Sequence, residues 1–243
     1  MTSMTSSVVA KPTVVLVHGA WADGSSWRRV IPFLLDNDIP VVAVQNPTTS
    51  LSHDVAATRR ILNGIEGPIV LVGHSWGGAV ITEAGNDPKV KALVFVAALP
   101  PSQGQSVGDL VASYTPPPGL SHIVDDGDGF LRMGVDGWIN DVGQDLPEKE
   151  NRVLSVVQTP LAKGTFGDKI TKAAWRAKPN WYVVSTSDRV VSVELQRELA
   201  SRLDAKITEL DASHLSLLSQ PQQIAAVIRD AVESTVLRLK QPT

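Results

Sequence analysis

Short runs of β-branched and other apolar residues alternate along the chain with longer segments of mixed character. Runs that are apolar at almost every position are typical of strands buried on both faces of a parallel sheet. They predict strands at residues 13–17, 41–44, 69–72, 92–96, 181–185 and 206–209. A strand buried on both faces needs cover above and below, so the pattern calls for helices on both sides of the sheet.

The segments between these strands have apolar residues three and four positions apart, which is the spacing of an amphipathic helix. They predict packing helices at residues 26–35, 55–65, 77–84, 194–203 and 222–232. Strands and helices in alternation define an α/β fold, here a doubly wound, mostly parallel sheet of about six strands with helices on both faces.

The alternation is interrupted once, between the fourth and fifth predicted strands. Pro and Gly become frequent there, as in the run Pro-Pro-Pro-Gly at 116–119, and no run is as strand-like as those elsewhere. One helix is predicted in this part, at residues 147–157. We therefore expect a core of residues 11–99 and 180–240, with residues 100–179 inserted as a lid over one edge of the sheet.

Composition and charge narrow the class of protein. The 243 residues include 22 Lys and Arg against 25 Asp and Glu, a net charge of −3 that argues against a nucleic-acid partner. The chain has no cysteine. Disulfide frameworks, cysteine-bound zinc, iron–sulfur clusters and thiolate nucleophiles are therefore excluded.

Nothing in the sequence predicts a membrane segment. The longest apolar run, at 92–99, is far shorter than the roughly 18 residues that a span needs. Residues 1–10 are rich in Ser and Thr and lack the basic start and apolar centre of a signal peptide, so we expect a flexible tail. The expectation is a soluble, cytoplasmic protein that binds neither membrane nor nucleic acid.

The first motif with chemical meaning is Gly73-x-Ser75-x-Gly77, which lies between a predicted strand and a predicted helix. This is the context of a nucleophile elbow, a turn so tight that the neighbours of the serine at two positions on either side must lack side chains. The turn would expose the hydroxyl of Ser75 at the carboxyl end of the sheet. Ser75 is therefore the candidate nucleophile.

A serine hydroxyl needs a neighbouring base, and the base needs an anion to orient it. His214 follows the last predicted strand and Asp188 follows the one before it, so both belong at the same edge of the sheet as Ser75. Asp211, three residues before His214, is the rival acid. The order Ser75, Asp188, His214 is the one expected of a triad on this fold, which favours Asp188.

Backbone N–H groups must also face the developing oxyanion, and in this fold they come from the residue after the nucleophile and from the loop after an early strand. These positions are Trp76 and Ala20. His18 and Trp21 flank the second position and are candidates for the substrate pocket, although His18 is better explained as a brace of its loop.

With these residues the chain resembles the α/β-hydrolase superfamily, within it the small serine esterases related to plant methyl-ester esterases and hydroxynitrile lyases. The resemblance covers nearly the whole chain and rests on the motifs at 18–21, 73–78, 95–100, 188–189 and 213–214. The family's catalytic serine, acid and histidine fall on Ser75, Asp188 and His214, and its oxyanion donors fall on Ala20 and Trp76.

The resemblance implies a carboxylesterase that uses no metal and no organic cofactor and acts on a small-molecule ester through an acyl-enzyme intermediate. The lid, including residues 107–114 and 130–138, would close the pocket and set specificity. A homodimer is left open. Cofactor-free haloperoxidase chemistry is compatible with the same triad as a side activity.

Two alternatives stay open. A carbon–carbon lyase of the hydroxynitrile type would use the same triad as a base, but such lyases have a lysine directly after the histidine or an asparagine at the position of Gly19. This chain has Leu215 and Gly19 there. A second alternative is a member of the fold that binds a ligand without turnover, which the triad alone does not exclude.

Overall fold

The computed structural model describes residues 11–241, and the expected tail at residues 1–10 lies outside that range. The strands are β1 (Thr13–Val17), β2 (Val41–Ala43), β3 (Ile69–His74), β4 (Val90–Val96), β5 (Ile123–Asp125), β6 (Phe130–Met133), β7 (Leu161–Ala162), β8 (Asn180–Ser185) and β9 (Lys206–Leu210). Six of them form one sheet in the order β2-β1-β3-β4-β8-β9. Every neighbouring pair in this sheet is parallel, which confirms the predicted fold.

The helices cover the sheet on both sides. They are α1 (Ile31–Leu35), α2 (Leu51–Asn63), α3 (Gly77–Ala84), α4 (Val107–Val111), α5 (Val135–Gly137), α6 (Glu148–Val157), α7 (Val193–Arg202), α8 (Ser216–Ser219) and α9 (Pro221–Lys240). Alternate residues of each central strand enter two separate apolar clusters. In β3, Leu71 packs with residues of α2, α3 and α7, whereas Val70 packs with residues of α1 and α9.

The first predicted helix, 26–35, is wrong as a single element. A short 3₁₀ turn at Gly24–Trp27 comes first, and α1 begins separately at Ile31. Pro32 explains the division, because proline lacks an N–H and is tolerated only in the first turn of a helix. The last helix is longer than predicted and continues from Pro221 to Lys240.

The segment between β4 and β8 contains a small antiparallel sheet in the order β5-β6-β7. We did not expect strands of their own there. These strands have two to four residues, too few for an alternating pattern to stand out in the sequence. The turn that joins β5 to β6 contains Gly127 and Gly129, both with positive φ.

The carboxyl ends of β1, β3, β8 and β9 meet at one edge of the main sheet, where ligands bind in open α/β folds. None of the helices between residues 11 and 241 combines the length and the apolar character that crossing a membrane would require. Within the same range, no cluster of three or more His, Cys, Asp or Glu side chains is placed to hold a metal ion.

Candidate active site

Ser75 lies on the turn between β3 and α3 in a left-handed backbone conformation, with φ of 53°. Such a conformation strains any residue other than glycine, and it persists only where its surroundings enforce it. The Ser75 N–H donates to the carbonyl of Val96 at 3.1 Å, and the Ser75 carbonyl accepts from the N–H of Gly78 at 2.9 Å. The predicted elbow is therefore held at both ends.

The two glycines of the motif have no room for a side chain. A Cβ at Gly73 would lie 2.6 Å from the carbonyl oxygen of Gly77. A Cβ at Gly77 would lie 2.6 Å from the carbonyl oxygen of Val17 in β1. Close approach of three backbone segments thus explains why the motif has glycine two residues before and two residues after Ser75.

Asp188 and His214 are in direct contact, with 2.7 Å between the carboxylate Oδ2 and the imidazole Nδ1. Both side chains are buried. This hydrogen bond places the proton of a neutral imidazole on Nδ1, which leaves Nε2 free to accept another. The rival acid, Asp211, instead accepts from the hydroxyl of Ser187 at 2.7 Å.

The Asp188 carboxylate is held by three further donors. Its Oδ1 accepts from the backbone N–H groups of Val190 and Val191, and its Oδ2 accepts from the side-chain amide of Gln196 at 2.9 Å. Gln196 lies in α7, and its amide oxygen in turn accepts from the N–H of Ser185 at 3.0 Å. Sequence reasoning missed Gln196, because a glutamine in an amphipathic helix gives no local sign of such a partner.

His74 connects the elbow to the loop of His214. Its Nε2 donates to the carbonyl of His214 at 2.9 Å, and the two imidazole rings lie 4.7 Å apart between centroids. Burial lowers the pKa of His74 well below its usual value, so this side chain is neutral. Within residues 11–241, no hydrogen bond joins the Ser75 hydroxyl to the His214 ring, so the contact through His74 is the described link between the two loops.

Both candidate oxyanion donors border the same cavity as Ser75. Trp76 follows Ser75 directly, and Ala20 comes from the loop after β1. That loop packs tightly on the elbow, since a Cβ at Gly19 would lie 2.8 Å from the Cβ of Ser75. The two backbone segments are therefore adjacent, as an oxyanion site of this type requires.

Of the two pocket candidates, the structure places only Trp21 at the cavity. Its indole N–H donates to the carbonyl of Leu131 in β6 at 2.9 Å, which ties it to the inserted segment. His18 is fully buried, and its ring nitrogens contact the Gly19 carbonyl and the Asn46 N–H. Burial lowers its pKa. His18 is thus a brace of the loop and not part of the cavity wall.

The cavity beside Ser75 has a volume of about 490 Å³. Its lining from the core consists of Ala20, Trp21, Ser75, Trp76, Leu99, Val190, Val191, Ser192 and Leu195. Its lining from the inserted segment consists of Val107, Gly108, Val111, Ala112, Tyr114, Pro116, Pro117, Leu120, Ile123 and Phe166. No charged side chain belongs to this lining among the residues that the structure describes.

Of the two lid segments named from the sequence, 107–114 lines the cavity and 130–138 does not. The second segment forms β6 and α5 and contacts the site through Trp21. A larger cleft, of about 720 Å³, lies at the opposite end of the sheet beside Asn180 and Lys206. It is open and lined by charged residues, and it is remote from Ser75.

Comparison with known proteins agrees with this fold. The model of the alpha/beta hydrolase family matches residues 14–227. The chain therefore belongs to the alpha/beta hydrolase family.

Named relatives of the chain include esterases. The carbendazim hydrolyzing esterase of Nocardioides sp. (strain SG-4G) is 31% identical over 239 residues, which cover 79% of this chain and 98% of that protein. Methylesterase 3 of Arabidopsis thaliana is 24% identical over 249 residues, which cover 90% of this chain and 95% of that protein.

Among solved structures, a pyrethroid hydrolase from Sphingobium faniae JZ-2 has a TM-score of 0.77 at 22% identity, with 91% of this chain and 97% of that chain covered. This likeness shows the fold. Together, the comparisons confirm the predicted family, its relation to plant methylesterases and the class of enzyme, a carboxylesterase-type hydrolase.

Proposed function

We propose that the protein hydrolyses small, uncharged carboxylic esters with Ser75 as nucleophile, His214 as base and Asp188 as the acid that orients the base. One observation carries the proposal. A buried carboxylate orients the His214 imidazole, His74 joins the loop of His214 to the elbow, and the strained Ser75 opens into an apolar cavity. Each part is required for acyl transfer by a serine, and the family already supplies the fold.

In the proposed reaction, the Ser75 Oγ forms a bond to the ester carbonyl carbon while its proton passes to Nε2 of His214. The bond from that carbon to the alcohol oxygen then breaks, and the alcohol leaves with the proton from His214. A water molecule attacks the acyl-enzyme as His214 takes one of its protons, and the acid leaves as Ser75 regains its own. Asp188 stays ionised throughout and stabilises the charged imidazole.

The oxyanion that forms in each half of the reaction would lie between the N–H groups of Ala20 and Trp76. Donors fixed in advance stabilise the transition state more than the substrate, because they need no reorganisation during the reaction. Removing one such donor costs about 10²–10³-fold in rate in well-studied hydrolases. The close packing of Gly19 on Ser75 supports this assignment.

The cavity supports an uncharged substrate with an apolar acyl or alcohol group. Transfer of a carboxylate or ammonium group into a site without a counter-charge is strongly unfavourable. Two of the relatives carry names that mention carbendazim hydrolysis and methylesterase activity. Those names agree with an esterase that acts on small organic molecules, which is the class that we propose here.

We further propose that residues 100–179 act as the lid of this cavity, since half of its lining comes from them. A cytoplasmic location fits the absence of cysteine. Light scattering would test whether the protein is a homodimer, and fractionation of cells would test the location.

The decisive experiment is hydrolysis of a panel of short-chain aryl esters by the wild type, Ser75→Ala, Asp188→Asn and His214→Ala, in buffer with a metal chelator. We expect turnover by the wild type, none by Ser75→Ala and His214→Ala, and a loss of several orders of magnitude for Asp188→Asn. Normal rates in folded Ser75→Ala would overturn the assignment. A folded wild type without turnover would favour the lyase or the ligand-binding alternative.

A further inference from the structure

A buried carboxylate next to the elbow has no part in the triad. Asp54 lies in the first turn of α2, and its side chain is fully shielded from solvent. Burial raises the pKa of Asp54 to about 6, and the negative charge of Asp168 acts in the same direction. A carboxylate in such a place is unfavourable unless its hydrogen bonds make up for the lost hydration.

Both oxygens of Asp54 are used. The Oδ2 accepts from the indole Nε1 of Trp76 at 2.7 Å, and the Oδ1 accepts from the backbone N–H of Thr48 at 2.8 Å. Trp76 is the residue after the nucleophile, and its ring meets Phe166 edge to face in the cavity wall. The carboxylate thus fixes the side chain of the residue whose N–H is a proposed oxyanion donor.

Thr48 extends this connection to the inserted segment. Its φ is 55°, so the Thr48 backbone is strained in the same way as that of Ser75. Its hydroxyl donates to the carbonyl of Pro160 at 2.6 Å, and its carbonyl accepts from the N–H of Ala162 in β7 at 2.9 Å. Asp54 therefore contacts the elbow directly through Trp76, and it is linked to the inserted segment only through Thr48.

We propose that Asp54 is a positioning residue for ester hydrolysis: by binding the Trp76 indole and the Thr48 N–H, it fixes the Trp76 backbone N–H and the adjacent cavity wall. This inference rests on the proposed function. Side chains that lie in the interior only to stabilise a fold are usually apolar, whereas Asp54 accepts hydrogen bonds from the elbow and from Thr48, which in turn bonds to the inserted segment.

The chain offers a matched control. The indole Nε1 of Trp181 donates to Asp230 Oδ2 at 2.5 Å, so a second Trp–Asp contact occurs in this fold, with a partly exposed carboxylate that also pairs with Lys206. This pair borders the open cleft at the opposite end of the sheet. Asp230→Asn and Trp181→Phe change a Trp–Asp contact in the same way as Asp54→Asn and Trp76→Phe, since Asn removes the charge and one acceptor and Phe removes the indole donor, but they do so far from Ser75.

The experiment measures two rates for the wild type, these four variants and the double variant D54N/W76F. The first is kcat on an aryl ester. The second is the rate at which a fluorophosphonate labels Ser75, read by mass spectrometry. In labelling, the Ser75 Oγ forms a bond to phosphorus, the P–F bond breaks, fluoride leaves and the proton goes to His214. The labelling reaction needs the oxyanion donors but does not require turnover of an ester.

We expect both rates to fall at least tenfold in Asp54→Asn and in Trp76→Phe, with KM of Asp54→Asn changed less than threefold. The rates of the double variant should be no lower than those of the more impaired single variant, because the two residues act as one pair. Asp230→Asn and Trp181→Phe should stay within twofold of the wild type. Rates in Asp54→Asn and Trp76→Phe that match these controls would overturn the proposal.

If Asp54→Asn does not fold, Trp76→Phe decides, since it removes the indole donor and keeps the carboxylate and an aromatic ring. Because Trp76 also lines the cavity, the labelling rate and kcat must fall in this variant with KM changed less than threefold. Failure of the proposed function is distinguishable. If the wild type hydrolyses no ester but is labelled at Ser75, the proposed esterase activity is refuted. If labelling is then slower in Asp54→Asn than in the wild type, the positioning role is still supported. Ester turnover that depends on Ser75 but not on Asp54 would support the esterase activity and refute the positioning role.

Discussion

Two buried ionisable residues beside Ser75 respond to burial in opposite directions. The pKa of Asp54 is raised by loss of hydration, whereas that of His74 is lowered by the same cause and by the nearby His214. Below its unfolded pKa, His74 makes the folded state less stable, because the unfolded chain binds the proton more readily. Asp54 acts the other way, since its folded form binds a proton more readily than its unfolded form.

Asp54→Asn should therefore change how stability depends on pH. The stabilisation from a raised pKa is fully present below the unfolded value of 3.8 and is lost as pH rises through about 6. Relative to Asp54→Asn, the wild type should gain about 2 kcal/mol in free energy of unfolding as pH falls from 7 to 4. Urea denaturation at four pH values measures this difference.

The contributions of His74 and His18 to the pH dependence cancel when the unfolding free energies of the wild type and Asp54→Asn are subtracted, because both proteins contain these histidines. The charged neighbours that face Asp54 are His53 in α2 and Asp168. A difference in unfolding free energy that stays constant between pH 4 and pH 7 would contradict an ionisable, buried Asp54.

Among individual site residues, those that belong to a local sequence motif can be identified from the sequence. Ser75 and its glycines could be read directly, and Asp188 and His214 could be chosen by their place after strands. Gln196 and Asp54 could not, because their partners lie in other elements and their own neighbours in sequence carry no sign of the contact.

The elbow forms where β1, β3 and α3 meet, and its glycines allow the backbones of these elements to approach closely. Gly77→Ala should destabilise the fold by about 1–3 kcal/mol, because a Cβ there meets the carbonyl of Val17 at 2.6 Å and backbone cannot move aside cheaply. Gly164→Ala, with open space around its Cβ position, is the control and should be nearly neutral. Thermal unfolding of both variants, followed by circular dichroism, checks this; equal melting temperatures would contradict it.

Helix α7 holds the acid loop through Gln196. Gln196→Leu would leave the Ser185 N–H and one Asp188 oxygen without this partner, so kcat should fall about tenfold or more through misorientation of the acid. Asn180→Leu is the matched control, since Asn180 is a buried amide in β8 that bonds to carbonyls at the other end of the sheet. It should lower stability and leave kcat of the folded protein within a few fold.

Most elements of the core could be predicted because strands buried on both faces consist of continuous apolar runs that are visible in the sequence. The predicted strand at 69–72 falls inside β3, and the predicted helix at 77–84 coincides with α3. In the inserted segment, the predicted helix at 147–157 agrees with α6, but the strands could not be predicted, because they are short and half-exposed. Its structure depends on contacts with the core, such as the bond from Trp21 to Leu131.

For the whole molecule, the lining of the cavity predicts selectivity for charge. An ester with a terminal carboxylate should react at least about 100-fold more slowly, by kcat/KM, than a neutral ester of the same length, because its charge would lose hydration without a partner. Paired aryl esters of equal chain length, compared at two salt concentrations, measure the ratio. Equal kcat/KM values would show that the substrate does not enter this cavity as described.

The bond between Thr48 and β7 bears on how this scaffold can be re-engineered. A segment that enters and leaves the core at adjacent strands suggests an exchangeable module, and a transplanted lid would bring new specificity to an unchanged catalytic centre. Here Pro160 and Ala162 hold Thr48, which shares Asp54 with Trp76. A chimera that exchanges the inserted segment should therefore keep these two backbone contacts unchanged, and new sequences are best introduced at 107–123, which lines the cavity.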